Sequence, residues 1–242
     1  MENNKHNIVP DIYGKALLNY LENPGDQELI IHSDIAETEA YPVSWFFRKE
    51  KDFPEIESQA LDLCKGTILD VGAGTGIHSL ELQNRGMDIT AIDISEGAVS
   101  IMKENGIKNA QLQDFYAIES DTYDTILMLM NGFGVMGQLD KVAHFFEKVD
   151  TLLNEDGLII ADSSDLLHLY QEEDGSVLID LNGDYYGEVE YQMEFQGEMG
   201  GKFDWLFIDF NSLQDAAEKA GFNAVKIFEE ENHQYLAKIT RK

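Results

Sequence analysis

The stretch that most constrains the fold is residues 67–80, which read TILDVGAGTGIHSL. A short apolar run that ends in an acid, here Asp70, is typical of a buried parallel strand. Alternate glycines follow at positions 72, 74 and 76, and a helical pattern begins directly after them. Glycine lets a ligand lie against the main chain, and a helix start leaves N–H groups free to receive a polar or anionic group. The stretch therefore predicts a strand–turn–helix nucleotide site.

The spacing of the glycines indicates which nucleotide. A dinucleotide fingerprint G-x-G-x-x-G that starts at Gly72 needs its third glycine at position 77. That position is Ile77, and the third glycine is Gly76. The pattern D-x-G-x-G-x-G instead resembles the first motif of class I methyltransferases that depend on S-adenosylmethionine (SAM). A generic glycine-rich turn of some other α/β protein is the alternative.

In that family the glycine turn lies along the methionine part of SAM, with the acid of the strand end close by. The resemblance therefore implies a first group of SAM-site residues, which are Asp70, Gly72, Ala73, Gly74 and Gly76.

A second acid ends the next predicted strand, residues 87–93. Asp93 lies 23 positions after Asp70, close to the ~20-residue interval at which an acid binds a ribose in nucleotide-binding βαβ units. A carboxylate suits two vicinal hydroxyls because it offers only acceptors. Helix capping is the alternative role, but Ser95 already supplies it. We therefore place Asp93 and its neighbour Ile94 in the candidate cofactor site.

The ends of the third and fourth predicted strands, residues 109–113 and 123–130, complete that site. In the resembling family an acid after the third strand accepts the adenine amino group and an apolar neighbour packs on the ring. The matching residues here are Asp114 and Phe115, and the fourth strand adds Leu129 and Asn131. Methyltransferases that act on base amino groups carry D/N-P-P-Y/F at this point. This chain keeps the Asn but has no prolines there, which argues against a nucleic-acid substrate.

The charge of the chain points the same way. Lys and Arg total 17 against 46 acidic residues, a formal net charge of −29. Such a surface repels a phosphate backbone, so nucleic acid is not an expected partner. It attracts cations, including the sulfonium of SAM, although an acidic surface is also common in soluble proteins. The segment from 163 to 210 holds slightly more than its share of acids, too small an excess to indicate a cationic substrate.

Cysteine usage and hydropathy indicate the compartment. Cys64 is the one cysteine, which precludes an internal disulfide and fits a reducing environment. The first residues lead into no long apolar stretch, so we expect neither a signal peptide nor a membrane span. The prediction is a cytoplasmic protein that works as a monomer or homodimer.

Two segments flank the predicted cofactor domain, which spans residues 66–242. Residues 1–65 form an N-terminal helical arm that contains Arg48. In the resembling family such arms often close over SAM, and a cation there can hold the methionine carboxylate. The alternative is an arm that packs its aromatic residues on the domain, with Arg48 in a surface ion pair. Residues 163–210 form a substrate-side insertion, in which strict alternation over 188–196 predicts one strand of a β-hairpin. Gly197, Gly200 and Gly201 are expected to form its turn toward a second strand over 203–208.

The alternation of strands and helices implies an α/β fold with a doubly wound, mostly parallel seven-stranded sheet. Ligands of such sheets bind at the carboxyl ends of the strands, where all the singled-out acids lie. The predicted function is methyl transfer from SAM to an unidentified, small-molecule acceptor. The rival hypotheses are a nicotinamide-dependent oxidoreductase and a non-catalytic SAM-binding module. No metal is assigned, although strand-end oxygens leave a magnesium-assisted variant open. A general base has four candidates, none chosen: Asp162, Asp165, His168 and Tyr186.

Overall fold

The computed structural model describes residues 10–119, 121–172, 174–179 and 183–242. In chain order its helices are α1 (Ile12–Glu22), α2 (Glu55–Leu63), α3 (Ile77–Asn84), α4 (Glu96–Glu104), α5 (Val142–Leu152) and α6 (Phe210–Lys219). Its strands are β1 (Glu28–Ser33), β2 (Glu39–Pro42), β3 (Thr67–Val71), β4 (Asp88–Asp93), β5 (Ala110–Leu112), β6 (Tyr123–Met128), β7 (Leu153–Ser164), β8 (Glu188–Phe195), β9 (Glu198–Leu206), β10 (Phe222–Glu229) and β11 (Gln234–Arg241).

Seven strands form the predicted sheet, in the order β10-β11-β7-β6-β3-β4-β5. The pairs from β7 to β5 are parallel, whereas β11 runs antiparallel to both of its neighbours. The doubly wound, mostly parallel fold is therefore confirmed. The strand order reverses between β3 and β6, and in such sheets a crevice opens at that point, beyond the carboxyl ends of the strands.

Each side of this sheet packs against helices, which explains the continuous apolar runs in its strands. In β3, Leu69 joins one buried cluster with Phe145 of α5, while Ile68 joins a second cluster with Leu61 of α2. Successive side chains of a strand point to opposite faces, so both neighbours are buried. This two-sided burial fixes the register that brings Asp70 and Asp93 to the same edge.

A second sheet, antiparallel and four-stranded, lies outside the predicted one, in the order β2-β1-β8-β9. It joins two strands of the N-terminal arm to the inserted hairpin, because β1 pairs with β8. We call it the roof sheet. The arm is therefore not only helical, and the hairpin does not stand alone. The alternation in β8 is explained by its buried residues, Val189 and Phe195, which share one face.

The turn of that hairpin differs from the prediction. Gln196 and Gly197 have positive φ values of 52° and 79°, which is the signature of a two-residue type I′ turn. Gly200 and Gly201, which the sequence suggested as part of the turn, lie inside β9. At Gly200 a side chain would come within 3.2 Å of Ile12 on α1. That glycine therefore allows a close approach rather than a turn.

Helix α1 lies between the roof sheet and α4, and its buried face is narrower than its leucines suggest. Ile12 and Leu17 are buried with Ala98 and Ile101 of α4, whereas Leu18 and Leu21 are largely exposed. The two helices cross where glycine faces glycine. A side chain at Gly97 would meet the backbone of Gly14 at 2.4 Å. This crossing ties the arm to the parallel domain.

Strand β7 begins at Leu153. Helix α6 begins at Phe210 because the Asp209 side chain caps it by accepting from the N–H groups of Asn211 and Ser212. Within the part of the chain that the structure describes, no helix combines the length and apolar character needed to cross a membrane.

Candidate functional site

The three glycines of the turn between β3 and α3 have different surroundings, and one of them borders open space. Gly72, Gly74 and Gly76 all have positive φ. A side chain at Gly76 would strike Ile107 and Met102, so this glycine is needed for packing. At Gly72 nothing lies within 4 Å, and at Gly74 the one neighbouring side chain is that of Tyr13. The main chain at Gly72 therefore borders the crevice, whereas Gly74 is buried next to the Tyr13 hydroxyl and Ala73 is buried beneath the turn.

Asp93 holds this turn from the neighbouring strand. Its Oδ2 accepts a hydrogen bond from the Gly74 N–H at 2.9 Å, and its Oδ1 accepts one from the Ser95 N–H at 2.8 Å. Burial raises the pKa of Asp93, although the same two N–H groups stabilise its charged form. Each oxygen keeps a further acceptor site. The carboxylate is thus fixed in place with capacity for two more donors.

Asp70 faces into the protein instead. Its Oδ2 accepts a hydrogen bond from the Ser79 hydroxyl of α3 at 2.6 Å, and the residue is buried. Burial raises the pKa of Asp70, against the opposing effects of His78 and Ser79. Asp70 therefore anchors α3 behind the glycine turn.

The residues after β4 and β5 are placed differently from one another. Ile94 is 78% exposed although it is apolar. Asp114 is exposed and accepts a hydrogen bond from the Tyr116 N–H at 2.7 Å. Phe115 is buried, with its ring 5.7 Å from that of Phe145. An exposed isoleucine and an exposed carboxylate at one sheet edge offer an apolar surface and an acceptor to a ligand.

The turn after β6 has a backbone conformation that few residues adopt. Met130 and Asn131 have φ values of 65° and 58°, in a region that is rare for non-glycine residues. Asp162 at the end of β7 stabilises this turn by accepting from the N–H groups of Asn131 and Gly132 at 2.9 and 3.3 Å. Burial raises the pKa of Asp162 to about 6, although these donors and Gln234 oppose the shift.

Two side chains near that turn complete its surroundings. The Asn131 Oδ1 accepts a hydrogen bond from the Ser164 hydroxyl at 2.8 Å, which joins the ends of β6 and β7. Leu129 is buried in the cluster on the α2 side of the sheet. Strained, hydrogen-bonded turns of this kind concentrate at functional sites.

Arg48 belongs to a buried charge network, not to a surface ion pair. It is 8% exposed and contacts the Glu57 carboxylate, whose other oxygen lies 2.8 Å from His78 Nε2. Its guanidinium also lies over the Trp45 ring at 4.3 Å and donates to the Trp45 carbonyl. Burial opposes ionisation of Glu57, but its two partners hold the pKa of that carboxyl below its usual range. The network joins the arm, α2 and α3.

Tyr13 and Asp11 are site residues that the sequence did not indicate. The Tyr13 hydroxyl would lie 2.8 Å from a side chain at Gly74, and it makes no hydrogen bond to any residue that the structure describes. Burial raises the pKa of Tyr13, and Asp93 raises it further while Arg48 lowers it, so all three share one region. Asp11 accepts from the Ser95 hydroxyl and the Gly97 N–H at 2.8 and 3.1 Å. Only the docking of α1 brings these residues to the crevice.

The candidates for a general base lie farther along the same edge of the sheet, after the end of β7. Asp165 Oδ1 accepts from the Tyr186 hydroxyl and the Leu167 N–H, each at 2.9 Å. His168 lies 3.0 Å from the Asp165 carbonyl and stacks on His233 at 5.1 Å. The structure brings Asp165, Tyr186 and His168 together, whereas Asp162 is committed to the turn after β6. Among the described residues, no group of three metal-ligating side chains is placed to hold a metal ion.

Comparison with known proteins decides which family this geometry represents. Residues 47–227 match the model of a family described as a methyltransferase domain. The chain belongs to this family. It is also 41% identical, with a TM-score of 0.89, to a SAM-dependent methyltransferase from Bacteroides fragilis whose crystal structure is a complex with S-adenosyl-L-homocysteine. That match covers 96% of this chain and 94% of the other.

Curated relatives are more distant. An uncharacterized methyltransferase of Staphylococcus carnosus is 24% identical over 172 residues, which cover 64% of this chain and 83% of the relative. A ubiquinone biosynthesis O-methyltransferase of Rickettsia felis is 38% identical over 88 residues, but the match spans only 36% of its length and 34% of this chain. The chain is thus a class I SAM-dependent methyltransferase, and the resemblance seen in its glycine motif is confirmed. This assignment replaces the two rival hypotheses, a nicotinamide-dependent oxidoreductase and a non-catalytic SAM-binding module.

Proposed function

We propose that this methyltransferase transfers the methyl group of SAM to a small-molecule acceptor, with SAM lying across the carboxyl ends of β3, β4 and β5. The methionine part follows the glycine turn, from the exposed main chain at Gly72 toward Gly74 and the Tyr13 hydroxyl. The ribose hydroxyls donate to Asp93, and the adenine lies between Ile94 and Asp114. The observation that carries this assignment is the hydrogen bond from the Gly74 N–H to Asp93. It makes the glycine turn and the ribose acid one rigid unit.

The arm contributes to the same site in this proposal. The free hydroxyl of Tyr13 beside Gly74 is available to the methionine part of SAM. Arg48 acts on Tyr13 through its charge, and its buried Nε has no partner among the described residues. A carboxylate that approached from the crevice would meet this guanidinium. We therefore retain Arg48 as a cofactor-side residue whose main partner in the free protein is Glu57.

Two features support a small acceptor. Helix α1 covers the crevice on one side, and the roof sheet of β1, β2, β8 and β9 extends from α1 to Trp205, which rests on Gly134 after β6. A covered site keeps water out and holds reactants in line, and these two effects supply most of the rate in a displacement at the SAM methyl. In this proposal residues 1–65 and 163–210 form the cover, and residues 66–242 carry the cofactor. A macromolecule such as nucleic acid would need an open face.

The proposal is tested by calorimetric titration with SAM, S-adenosylhomocysteine and NAD. We expect the first two to bind and NAD not to bind measurably. Replacing Asp93 by Ala should weaken SAM binding by ~1–3 kcal/mol, the usual loss for hydrogen bonds to a charged group. Asp88→Ala is the matched control because Asp88 lies exposed at the opposite end of the same strand. This variant should bind SAM with the affinity of the wild-type protein.

Two outcomes would contradict the proposal. A preference for NAD over SAM would reject the cofactor assignment altogether. Unchanged SAM affinity in a folded Asp93→Ala protein would place the ribose elsewhere in the crevice.

A further inference from the structure

A cavity of about 180 Å³ opens at the carboxyl end of β7, beside the residues considered as bases. Its lining residues are Asp165, Leu167, His168, Gln171, Val177 and His233. Asp165 follows β7 directly, and its N–H donates to the carbonyl of His233 in the turn before β11. The cavity therefore lies at the sheet edge where the crevice opens, beyond the turn after β6. The proposed cofactor site uses none of these residues.

The carboxylate in the wall of this cavity is held on one side only. Asp165 Oδ1 accepts two hydrogen bonds, from the Tyr186 hydroxyl and the Leu167 N–H. Oδ2 accepts none from the residues that the structure describes. If His168 donates its Nδ1 proton to the Asp165 carbonyl 3.0 Å away, its Nε2 is left as a further acceptor. The polar atoms offered here are mainly acceptors.

Two tyrosine rings adjoin Asp165. The Tyr186 hydroxyl donates to its Oδ1, and the rings of Tyr186 and Tyr170 lie 6.0 Å apart at 77°. The Tyr170 hydroxyl donates to the Tyr186 carbonyl at 3.1 Å, which joins the two tyrosines. Burial raises the pKa of Tyr170, and the Asp34 charge raises it further.

The charged and ionisable groups of the cavity wall distinguish the classes of acceptor. Among the described residues that line it are the Asp165 carboxylate, the imidazoles of His168 and His233, and no Lys or Arg. An anionic group would therefore find no ammonium or guanidinium there and would face the Asp165 carboxylate.

We propose that the acceptor is an amine, whose ammonium group enters this cavity and is bound by Asp165 beside the paired rings of Tyr186 and Tyr170; this rests on the proposed function. Tyrosine faces and carboxylates together recognise alkylammonium groups, because the ring quadrupole and the full negative charge both attract the cation. An alcohol would gain the hydrogen bonds but not the charge, and a carboxylate or phosphate acceptor would be repelled.

The chemistry of the step balances without any other reactant. The ammonium loses one proton, to Asp165 or to water, and the freed nitrogen lone pair forms a bond to the methyl carbon of SAM. The carbon–sulfur bond breaks, and its electron pair stays on sulfur as S-adenosylhomocysteine leaves. The product is a methylated ammonium, which Asp165 and the tyrosines also suit.

The test uses choline and its uncharged isostere 3,3-dimethyl-1-butanol, which differ in one charge but hardly in shape. Each is titrated by ligand-observed NMR into the full-length protein saturated with S-adenosylhomocysteine. We expect choline to bind at least about tenfold more tightly than the isostere. Asp165→Asn should reduce choline affinity by about tenfold and leave the isostere nearly unchanged.

The control is Asp156→Asn, which removes the same charge from the opposite end of β7 and should leave both affinities unchanged. If Asp165→Asn no longer binds S-adenosylhomocysteine, Tyr186→Leu carries the same comparison, because it removes the ring beside Asp165, with a smaller expected loss of choline affinity. Equal binding of choline and isostere, no binding of either, or equal behaviour of the Asp165 (or Tyr186) and Asp156 variants would overturn the amine proposal. Failure of the wild-type protein to bind S-adenosylhomocysteine would instead overturn the proposed function.

Discussion

The cofactor half of the crevice and its roof are assembled in opposite ways. Asp70, Asp93 and Asp114 stand at the ends of consecutive parallel strands, and each strand carries its own signal in the local sequence. The roof sheet instead pairs β1 with β8, two strands on opposite sides of the whole cofactor segment. Local patterns specify the first half, while the second depends on contacts between distant segments. In the proposed function, the half that binds the cofactor can therefore be predicted from the sequence, whereas the half that selects the acceptor cannot.

The two halves meet at a few side chains, and these are where the comparison can be tested. Arg48 and Glu57 join the arm to α2 and α3, and Gly14 and Gly97 form the crossing of α1 with α4. Asp162 holds the turn after β6, beneath the roof. Changes at these points show how far each half depends on the other.

The largest effect is expected at Arg48. Arg48→Ala leaves Glu57 buried with only His78 as an ionic partner, and breaking a buried ion pair costs about 3–5 kcal/mol. Arg85→Ala is the control, because that arginine pairs with carboxylates at the surface and its loss should cost at most ~1 kcal/mol. Denaturant unfolding measures both. Equal losses would show that the arm and the cofactor half are not joined through this pair.

The same variant sharpens the assignment of Arg48. If it holds the methionine carboxylate, Arg48→Ala should weaken SAM more than 5′-methylthioadenosine, which lacks that group. Equal weakening of the two ligands would assign Arg48 to the structure of the arm alone.

The next effect concerns Asp162 and depends on pH. Its folded pKa of about 6 exceeds the ordinary value of ~3.9, so between these values the folded state binds more protons than the unfolded state. Its contribution to stability is therefore fully present below pH ~4 and is lost as the pH rises to ~6, by about 1–3 kcal/mol. Asp162→Asn should remove this dependence, so the free energy of unfolding of wild type relative to the variant should fall across that range. A constant difference would place the pKa of Asp162 near its ordinary value.

A smaller effect is expected at the helix crossing. Gly97→Ala places a methyl group against the backbone of Gly14, and overpacking of this kind costs about 1–3 kcal/mol, less the gain of ~1 kcal/mol from replacing a helical glycine. Gly25→Ala, where nothing lies within 4 Å, is the control. A Gly97→Ala protein no less stable than the control would mean that α1 is loosely held.

The smallest effect is expected from Tyr13→Phe, which removes one hydroxyl from the arm side of the crevice. If that hydroxyl donates to SAM, the affinity for SAM should fall by about 0.5–1.5 kcal/mol, the usual net value of one hydrogen bond. The SAM affinity is measured by calorimetry, with Tyr20→Phe on the same helix as the control variant. Unchanged SAM affinity in Tyr13→Phe would mean that the Tyr13 hydroxyl does not bind SAM and that this part of the arm serves only the acceptor.

Particular residues show why the sequence predicts one half and not the other. Asp93 was predictable because its position follows from the period of one βαβ unit, and the structure places it against the glycine turn. The sequence predicts Gly200 in a turn, whereas the structure places it inside β9. A glycine that permits close contact looks the same in a sequence as one that bends the chain. Tyr13 carries no local signal at all. Its place beside Gly74 depends on how α1 docks, which distant strands of the roof sheet determine.

The pairing of β1 with β8 also affects how the protein is made. Strand β1 ends at Ser33 and its partner begins at Glu188, so more than 150 residues are translated between them. At roughly 5–20 residues per second, the β1–β2 hairpin waits about 8–30 s on the ribosome with one edge unpaired. Exposed strand edges invite pairing with other chains. A newly made chain is therefore open to aggregation through the unpaired edge of β1, and slower translation of the segment between β1 and β8 would lengthen that exposure.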